Sequence, residues 1–320
     1  MSQRSLTDDE CREALDALIS HATRLEAADF LGISGGAFDN RIRVGKTRGI
    51  IPPTMKPDPK AKRPTFKPLE PPQGVYECIL NISDLHAPYH HPDALAFIKS
   101  LKEKYEPDLY ISGGDELDFH AISFHDSDPD LASASDELIA GRVFLQELER
   151  LIPVMYVLES NHTSLAYRRA KAHGIPKHLI TSYRGVVFGE RDEEDDIYYP
   201  DDRGRGWKWF PFLVIKTPHM PIYYCHGKKA KAETNMFDDK MCFAQFHHHS
   251  KFETVYISTP NALLWGMTSG CMIDTNALAF AYNKLDAKRP LIGCSIVRNG
   301  FPELKPMPLD MDGRWTGVTP

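Results

Sequence analysis

NISDLHAPYHH, Asn81–His91, is the stretch that decides the fold. The run leading into it, Val75–Ile82 (VYECILNI), is rich in β-branched and aromatic residues and follows a Pro-Pro-Gln-Gly turn signal, so it predicts a buried strand. A strand that empties into Asp84-Leu85-His86 sets a carboxylate and an imidazole at its carboxyl end, where ligands bind in open α/β sheets. Asp-x-His alone describes a capped strand end as well as a metal site. Four further clusters, in the order a two-metal site needs, give it force.

Downstream the pattern alternates. His91–Tyr105 carries Leu95, Ile98 and Leu101 at helical spacing, with Pro92 suited to a first turn. Asp108–Gly113 (DLYISG) predicts a second strand, opening into Gly113-Gly114-Asp115-Glu116-Leu117-Asp118. Asp136–Leu151 is a second amphipathic helix, and Pro153–Glu159 (PVMYVLE) a third strand ending in Ser160-Asn161-His162-Thr163. Strand, helix, strand with polar residues at each exit is the βαβ crossover of an α/β protein. Thr181–Asp202, with its acidic run GERDEEDD, predicts a solvated surface insertion. Phe212–Lys216 and Pro221–Cys225 predict a hairpin of a second sheet, closed by His226-Gly227. After QFHHHSK (Gln245–Lys251), strands are expected at Thr254–Ser258, Cys271–Asp274 and Leu291–Val297.

The exits together hold Asp84, His86, Asp115, Asp118, Asn161, His162, His226, His247 and His249. Divalent transition metals take imidazole nitrogens and carboxylate oxygens. Two metals about 3.5–4 Å apart take one carboxylate as a bridge. The set has no thiolate and suits a hydrolytic pair of Mn, Fe or Zn better than a structural zinc. His90, His91, His120 and His125 match no motif and read as surface or supporting residues.

The five blocks, in this order, resemble the calcineurin-like metallophosphoesterases, whose signature is Asp-x-His, Gly-Asp-x-x-Asp, Gly-Asn-His-Asp/Glu, a separate His, and Gly-His-x-His. The resemblance runs from Val75 to Val297, about two-thirds of the chain. It implies two facing mixed β-sheets flanked by helices, with the metals at the strand ends. It implies that Asp84, His86 and His249 hold one metal, that Asn161, His226 and His247 hold the other, and that Asp115 bridges them. It implies His162 as the catalytic residue over the metals, Asp118 as the residue orienting a ligand, and hydrolysis of a phosphate ester by a metal-bound hydroxide. The cofactors so implied are two divalent ions, manganese first, with iron, zinc or nickel as alternatives. This chain departs from the pattern at Ser160 for Gly, Thr163 for the acid and Phe246 for Gly. A shift of the last ligand pair by one, through His248, stays open.

Upstream, Thr7–His21 predicts an amphipathic helix capped by Thr7, Arg24–Leu31 a second helix ended by Gly32, and Gly35–Arg43 a third. Small Ala28, turn Gly32 and apolar Leu31, Ile33, Phe38 and Ile42 resemble the helix-turn-helix domains of transcriptional regulators and phage proteins. That resemblance makes Ser34, Asp39, Asn40 and Arg43 candidates to face a DNA groove, with Arg41 near phosphates. The alternative is a helical packing module, because Gly35-Gly36 costs a recognition helix about 1 kcal/mol per glycine. Residues 1–50 thus form a small all-α domain, residues 51–73 a Pro/Lys-rich linker, and residues 74–320 the metallophosphoesterase-like domain. Between Arg41 and Lys67 nine Lys/Arg face one Asp, although the whole chain carries a net charge of −6. That local excess suits a phosphate backbone or a plain basic tether.

Six scattered cysteines with no CxxC argue against disulfides and for a reducing compartment. A polar N-terminus and the lack of a long apolar run add to a cytoplasmic, non-membrane expectation. The leading expectation is a DNA-acting phosphodiesterase or nuclease. The rivals are a phosphoesterase of nucleotides or phosphoproteins, and a non-catalytic DNA-binding regulator. Arg168 and Arg169, on the helix after the Asn-His block, and Lys228, after His226, are candidates to meet substrate phosphates. The tandem of modules suggests a phage or prophage setting by analogy. A homodimer is compatible with a helix-turn-helix protein, although no heptad supports one.

Overall fold

Strand β1 (Cys78–Ile82) shows how the chain builds its layers. Side chains alternate across a strand, so Ile79 faces one apolar cluster and Leu80 and Ile82 the other. All three are fully buried, each contributing about 1.5–3 kcal/mol of transfer free energy. A strand covered on both faces reads as a continuous apolar run, which is why it is conspicuous in the sequence. The computed structural model describes residues 6–20, 23–48, 50, 71–124, 130–176, 179–188, 206–227, 231–277, 279–280 and 289–320.

The chain divides into two compact units, Met1–Lys67 and Pro68–Pro320. In the larger one, β1, β2 (Leu109–Ser112), β3 (Met155–Leu158) and β4 (Trp207–Phe210) run parallel; beyond β1, β10 (Gly293–Arg298) is antiparallel to β1 and β11 (Phe301–Pro306) antiparallel to β10. The second sheet has the order β5 (Leu213–Ile215), β6 (Ile222–Cys225), β7 (Cys242–Gln245), β9 (Leu263–Ser269) and β8 (Phe252–Ser258). Its three central strands are parallel and its edge strands antiparallel. Ile79, Ile111, Leu158 and Val297 of the first sheet share a core with Tyr224, Phe243, Trp265 and Met267 of the second. On its outer face the first sheet packs against α4 (Ala94–Tyr105) and α5 (Ala134–Leu151) through Phe97, Ile98, Leu101, Phe144, Leu145 and Leu148. Helix α8 (Ala232–Asp239) covers the second sheet at Gly266, where an added Cβ would stand 2.9 Å from the Cβ of Ala232. The fold is therefore α/β with two mixed sheets and flanking helices.

Two expectations are corrected. Cys271–Asp274 is no strand: Cys271 makes single bridges to Asp84 and Ile292, and Ile273 one to His90. Gly270, at φ +66°, ends β9 just before it. Nor is Thr181–Asp202 wholly a surface insertion, because α7 (Tyr183–Phe188) buries Val187 against the main core and is tied down by Arg142, whose Nε donates to the Val186 carbonyl at 2.6 Å. The acidic run itself, residues 189–196, lies outside the described residues, as does most of the expected linker, 51–70.

The N-terminal unit is three helices, α1 (Asp8–Ser20), α2 (Arg24–Phe30) and α3 (Gly35–Thr47), around Ala14, Leu15, Ala27, Ala28, Phe38 and Ile42. Thr7 caps α1 reciprocally with Glu10, and Thr23 caps α2 with Glu26. Helix α3 outruns its expected end at Arg43 because Gly45 lets it close on α1, with Leu15 Cδ1 3.1 Å from where a Cβ would stand. No helix among the described residues is long and apolar enough to cross a membrane.

Candidate metal centre

The exits of β1 and β2 are bonded to each other. The backbone N–H groups of Leu85 and His86 donate to the Asp115 carbonyl at 3.2 and 2.8 Å, and Ala87 N–H to the Glu116 carbonyl at 2.8 Å. His86 and Asp115 take positive φ (51° and 52°), as do Phe119 (57°) and His247 (68°). For non-glycine residues this is sparsely populated backbone, kept only where the surroundings over-determine it. The turns thereby aim side chains back over the sheet ends.

Three sets of ligand atoms converge there, each within 4.8 Å: one is His86, Asp118 and His162, and the other two, which share a carboxylate, are Asp84, His86, Asp115 and His249, and Asp115, His226 and His247. Asp115 belongs to both of the latter. Its Oδ2 lies 3.4 Å from His86 Nε2 and 3.2 Å from His226 Nε2. His249 Nε2 stands 3.2 Å from both His86 Nε2 and Asp84 Oδ2. On the other side Asn161 Oδ1 and His247 Nδ1 stand 3.0 and 3.2 Å from His226 Nε2. The other ring nitrogens of His86 and His226 are spoken for. His86 Nδ1 donates to Asp118 Oδ1 at 2.6 Å and His226 Nδ1 to the Gly113 carbonyl at 2.7 Å. Each pairing turns an Nε2 lone pair inward, as a metal-binding imidazole needs. Asp84 is fully buried, and its Oδ1 accepts no hydrogen bond, with His226 Nδ1 3.9 Å away. Imidazole nitrogens facing one another beside buried carboxylate oxygens suit cations seated among them.

The electrostatics agree. Burial opposes charge on His86, but hydrogen bonds to Asp115 and Asp118 outweigh it and raise its pKa well above the ordinary value. Burial likewise opposes charge on His226, yet Asp115 lifts it to about 9. Burial would raise Asp115, but His226, His162 and His86 hold it well below the usual carboxylate range. The buried carboxylates create a field that collects positive charge.

Of the expected residues, His247 and His249 are brought to the centre, while His248 joins none of the sets. Asp118 serves twice, its carboxylate orienting His86 and its backbone carbonyl accepting from His162 Nδ1. His162 N–H reaches Asp115 Oδ1 at 3.4 Å, and burial lowers the imidazole pKa. Arg168 is exposed, and its Nη2 donates to the Asn161 carbonyl at 2.9 Å. Lys228, Lys229 and His125 lie outside the described residues. His91 is structural, with Nε2 donating to the Gly313 carbonyl, and His90 stacks on Phe144. In the N-terminal unit Ser34, Asn40 and Arg43 are exposed on and before α3, and Arg43 Nη2 donates to Asn40 Oδ1 at 2.8 Å. Asp39 pairs with Arg24, and Arg41 turns to Glu10 of α1 at 3.4 Å, which engages its charge within the unit.

Three supporting features are not evident from the motifs alone. Ser160 and Thr163, two departures from the signature, bond reciprocally: Ser160 N–H donates to Thr163 Oγ1 at 3.0 Å and Thr163 N–H to Ser160 Oγ at 3.1 Å, closing the Asn161-His162 turn. Their S-x-x-T spacing, close to a capping box, was the available signal. Phe246, the third departure, is fully buried against Gly113, where a Cβ would meet its ring at 2.3 Å. Glu116, buried and pushed up to about 7 by burial, accepts from Tyr183 of α7 at 3.0 Å and joins that helix to the β2 exit.

Residues 79–266, more than half of the chain, match the model of the calcineurin-like phosphoesterase family. The chain belongs to this family. This calcineurin-like phosphoesterase is thus a metal-dependent phosphoester hydrolase, and the ligand sets above are the candidates for its divalent metals. It is similar to two solved structures of vacuolar protein sorting 29. The Cryptosporidium parvum protein shares 11% identity over 72% of this chain and 96% of that one, with a TM-score of 0.35. The Chaetomium thermophilum protein shares 10% over 76% and 94%, also at 0.35. No curated protein matches the sequence.

Proposed function

We propose that this phosphoesterase is a two-metal phosphodiesterase that cleaves DNA, and that its N-terminal helices are a helix-turn-helix module that holds the substrate. The observation that carries the two-metal reading is Asp115 Oδ2, which stands between His86 Nε2 and His226 Nε2, each in its own ligand set. Asp84, His86 and His249 would hold one ion, Asn161, His226 and His247 the other, with Asp115 between. We assign manganese to these carboxylate, imidazole and amide donors, with iron, zinc or nickel as the alternatives that the imidazoles also suit. Two divalent ions seated there supply Lewis-acid charge to the phosphoryl oxygens and lower the pKa of water.

The chain's own groups do the rest. Asp118 fixes the imidazole of His86 so that Nε2 faces inward. Its carbonyl, accepting from His162 Nδ1, leaves Nε2 of His162 as the nitrogen to meet substrate. A proton carried at that Nε2 goes to the leaving alkoxide and leaves a neutral imidazole; before transfer the Asp115 and Asp118 carboxylates, with the Asp118 carbonyl, favour the charged ring against its burial.

The DNA reading is supported by the exposed Ser34, Asn40 and Arg43 of the three-helix unit and by the basic stretch after it. Arg168 and Lys228 are the residues assigned to substrate phosphates. The test is cleavage of plasmid and single-stranded DNA with added manganese, beside Asp84→Ala. The expected result is cleavage by the parent protein and none by the variant. Equal rates would end the nuclease reading.

A second reading, hydrolysis of a small diester, a nucleotide or a phosphoprotein, is favoured by a hollow of about 240 Å³ against His226, His247 and Asn161, walled by Glu159, Ser160, Pro211 and Cys225. A hollow of that size accommodates one group of a substrate. A panel of model mono- and diesters separates the two.

A further inference from the structure

Phe124 is 51% exposed, although burying a phenylalanine is ordinarily favourable by about 1.5–3 kcal/mol. It is held in that position by two guanidiniums. Arg169 lies over its ring with Cζ 4.3 Å from the centroid, and Arg168 with Cζ at 5.3 Å. Arg169 is fixed from below, its Nε donating to the Ile122 carbonyl at 2.6 Å and its Nη2 to the Ser123 carbonyl. Arg168 spends one donor on the Asn161 carbonyl at 2.9 Å, and a guanidinium has five. The two segments that meet here are those that leave the centre. One is the turn after Asp118, through the 3-10 helix His120–Ile122; the other is α6 (Leu165–Ala172), after Asn161-His162. Arg168 therefore touches both the backbone of a candidate ligand and the aromatic ring.

We infer that Phe124 and Arg168, braced by Arg169, form a stacking platform for a nucleobase of a single-stranded or frayed nucleic acid whose phosphodiester lies at the centre. This rests on the phosphodiesterase reading above and names the substrate class for it. An aromatic ring half open to solvent beside fixed cations suits a base, because every base has a π-face and its neighbouring phosphate is anionic. A paired, stacked base offers no such face, so the platform selects unpaired strands. A phosphopeptide, with one charge and no obligatory aromatic ring, would use only half of it.

The test is binding of a fluorescein-labelled thymidine tetranucleotide to the full chain, by anisotropy, in EDTA and in manganese. The parent, Phe124→Ala and Phe124→Trp are compared, with thermal melting to verify the fold. Turnover of thymidine 5′-(p-nitrophenyl phosphate) against methyl p-nitrophenyl phosphate is read in parallel. Stacking of one base is worth about 1–3 kcal/mol, so Phe124→Ala should weaken tetranucleotide binding about 5- to 150-fold while Phe124→Trp keeps it. The thymidine ester should lose the same factor and the methyl ester should not. Unchanged binding in Phe124→Ala, or no binding by the parent, overturns the platform. Binding that falls as expected without turnover of either ester leaves the platform standing and removes the phosphodiesterase reading instead.

Discussion

Adding one methyl group at Gly113 should disable the centre without touching a ligand. A Cβ at this position would stand 2.3 Å from Cγ and Cδ1 of Phe246. Ordinary contact begins about 1 Å further out, so the ring must retreat by about that distance. Phe246 is fully buried in a close-packed core, so a shift of its ring is passed to its chain neighbour His247. That residue already sits at φ +68°, with its N–H on Asp84 Oδ2 at 2.8 Å and its Nδ1 3.2 Å from His226 Nε2. From the other side, the Gly113 carbonyl accepts the hydrogen bond that orients His226. Both imidazoles of one ligand set therefore move together. Overpacking of this kind costs about 1–3 kcal/mol, which at about 2–4 °C per kcal/mol lowers Tm by several degrees. The metal effect should be larger in proportion, because ligand distances tolerate only about 0.2 Å and losing the support of a ligand typically costs about 10–100-fold in affinity. Elemental analysis after dialysis, with calorimetric titration of manganese, should show two tight ions in the parent and one in the variant. Phe246→Leu placed in the Gly113→Ala background should recover part of the loss. Gly113→Ala protein that holds two ions at parental affinity and melts at the parental temperature would refute the reasoning.

The Ser160–Thr163 pair should behave as one unit: Thr163→Ala and Ser160→Ala each weaken binding of the ion near Asn161, the double variant loses little more, and Thr163→Ser restores it. A net hydrogen bond is worth about 1 kcal/mol and contacting residues couple by about 0.5–3 kcal/mol, so strictly additive losses in a titration-based double-mutant cycle would show that the two act separately. Asp93 should make the C-terminal segment acid-labile. Its carboxylate accepts from Arg314 Nε at 2.8 Å and from Trp315 N–H at 2.9 Å, and the Arg314 guanidinium holds its pKa down at about 2. A carboxyl with a depressed folded-state pKa stabilises above its unfolded value near 4 and loses that contribution as pH falls toward 2. The gap in urea midpoint between the parent and Asp93→Asn should therefore be constant from pH 7 to pH 5 and shrink between pH 4 and pH 3, and a gap independent of pH would rule the ion pair out as its cause.

The strands that carry the centre were legible because they are apolar on both faces and stop at short polar exits. β1 to β3 and their crossover helices fall where the periodicity puts them. The second sheet was harder. β7 is four residues long and holds a fully buried Gln245, paid for by hydrogen bonds with Asn235 and Thr268 that no hydrophobic pattern reveals. β9 contains Gly266, which reads as a strand breaker until α8 is seen pressing on it. At the centre, the residue types and their order picked out side chains that the structure brings together, since each sits in a short exit next to its motif neighbours. The fit of Phe246 against Gly113 was hidden, because 133 positions separate two residues that make sense only together. The use of the Asp118 backbone carbonyl to hold His162 was hidden for a different reason: a backbone group has no letter in the sequence.

The central claim is that Asp115 joins two metal sites into one hydrolytic centre. The direct measurement is turnover of bis(p-nitrophenyl) phosphate by metal-stripped protein given manganese, zinc, nickel or magnesium in turn, beside Asp115→Asn, with bound metal counted in each sample. The account predicts two ions per chain and metal-dependent hydrolysis in the parent, both lost or halved together in Asp115→Asn. Asp115→Asn protein that keeps two ions and full turnover, or a parent that binds no metal at all, would contradict it.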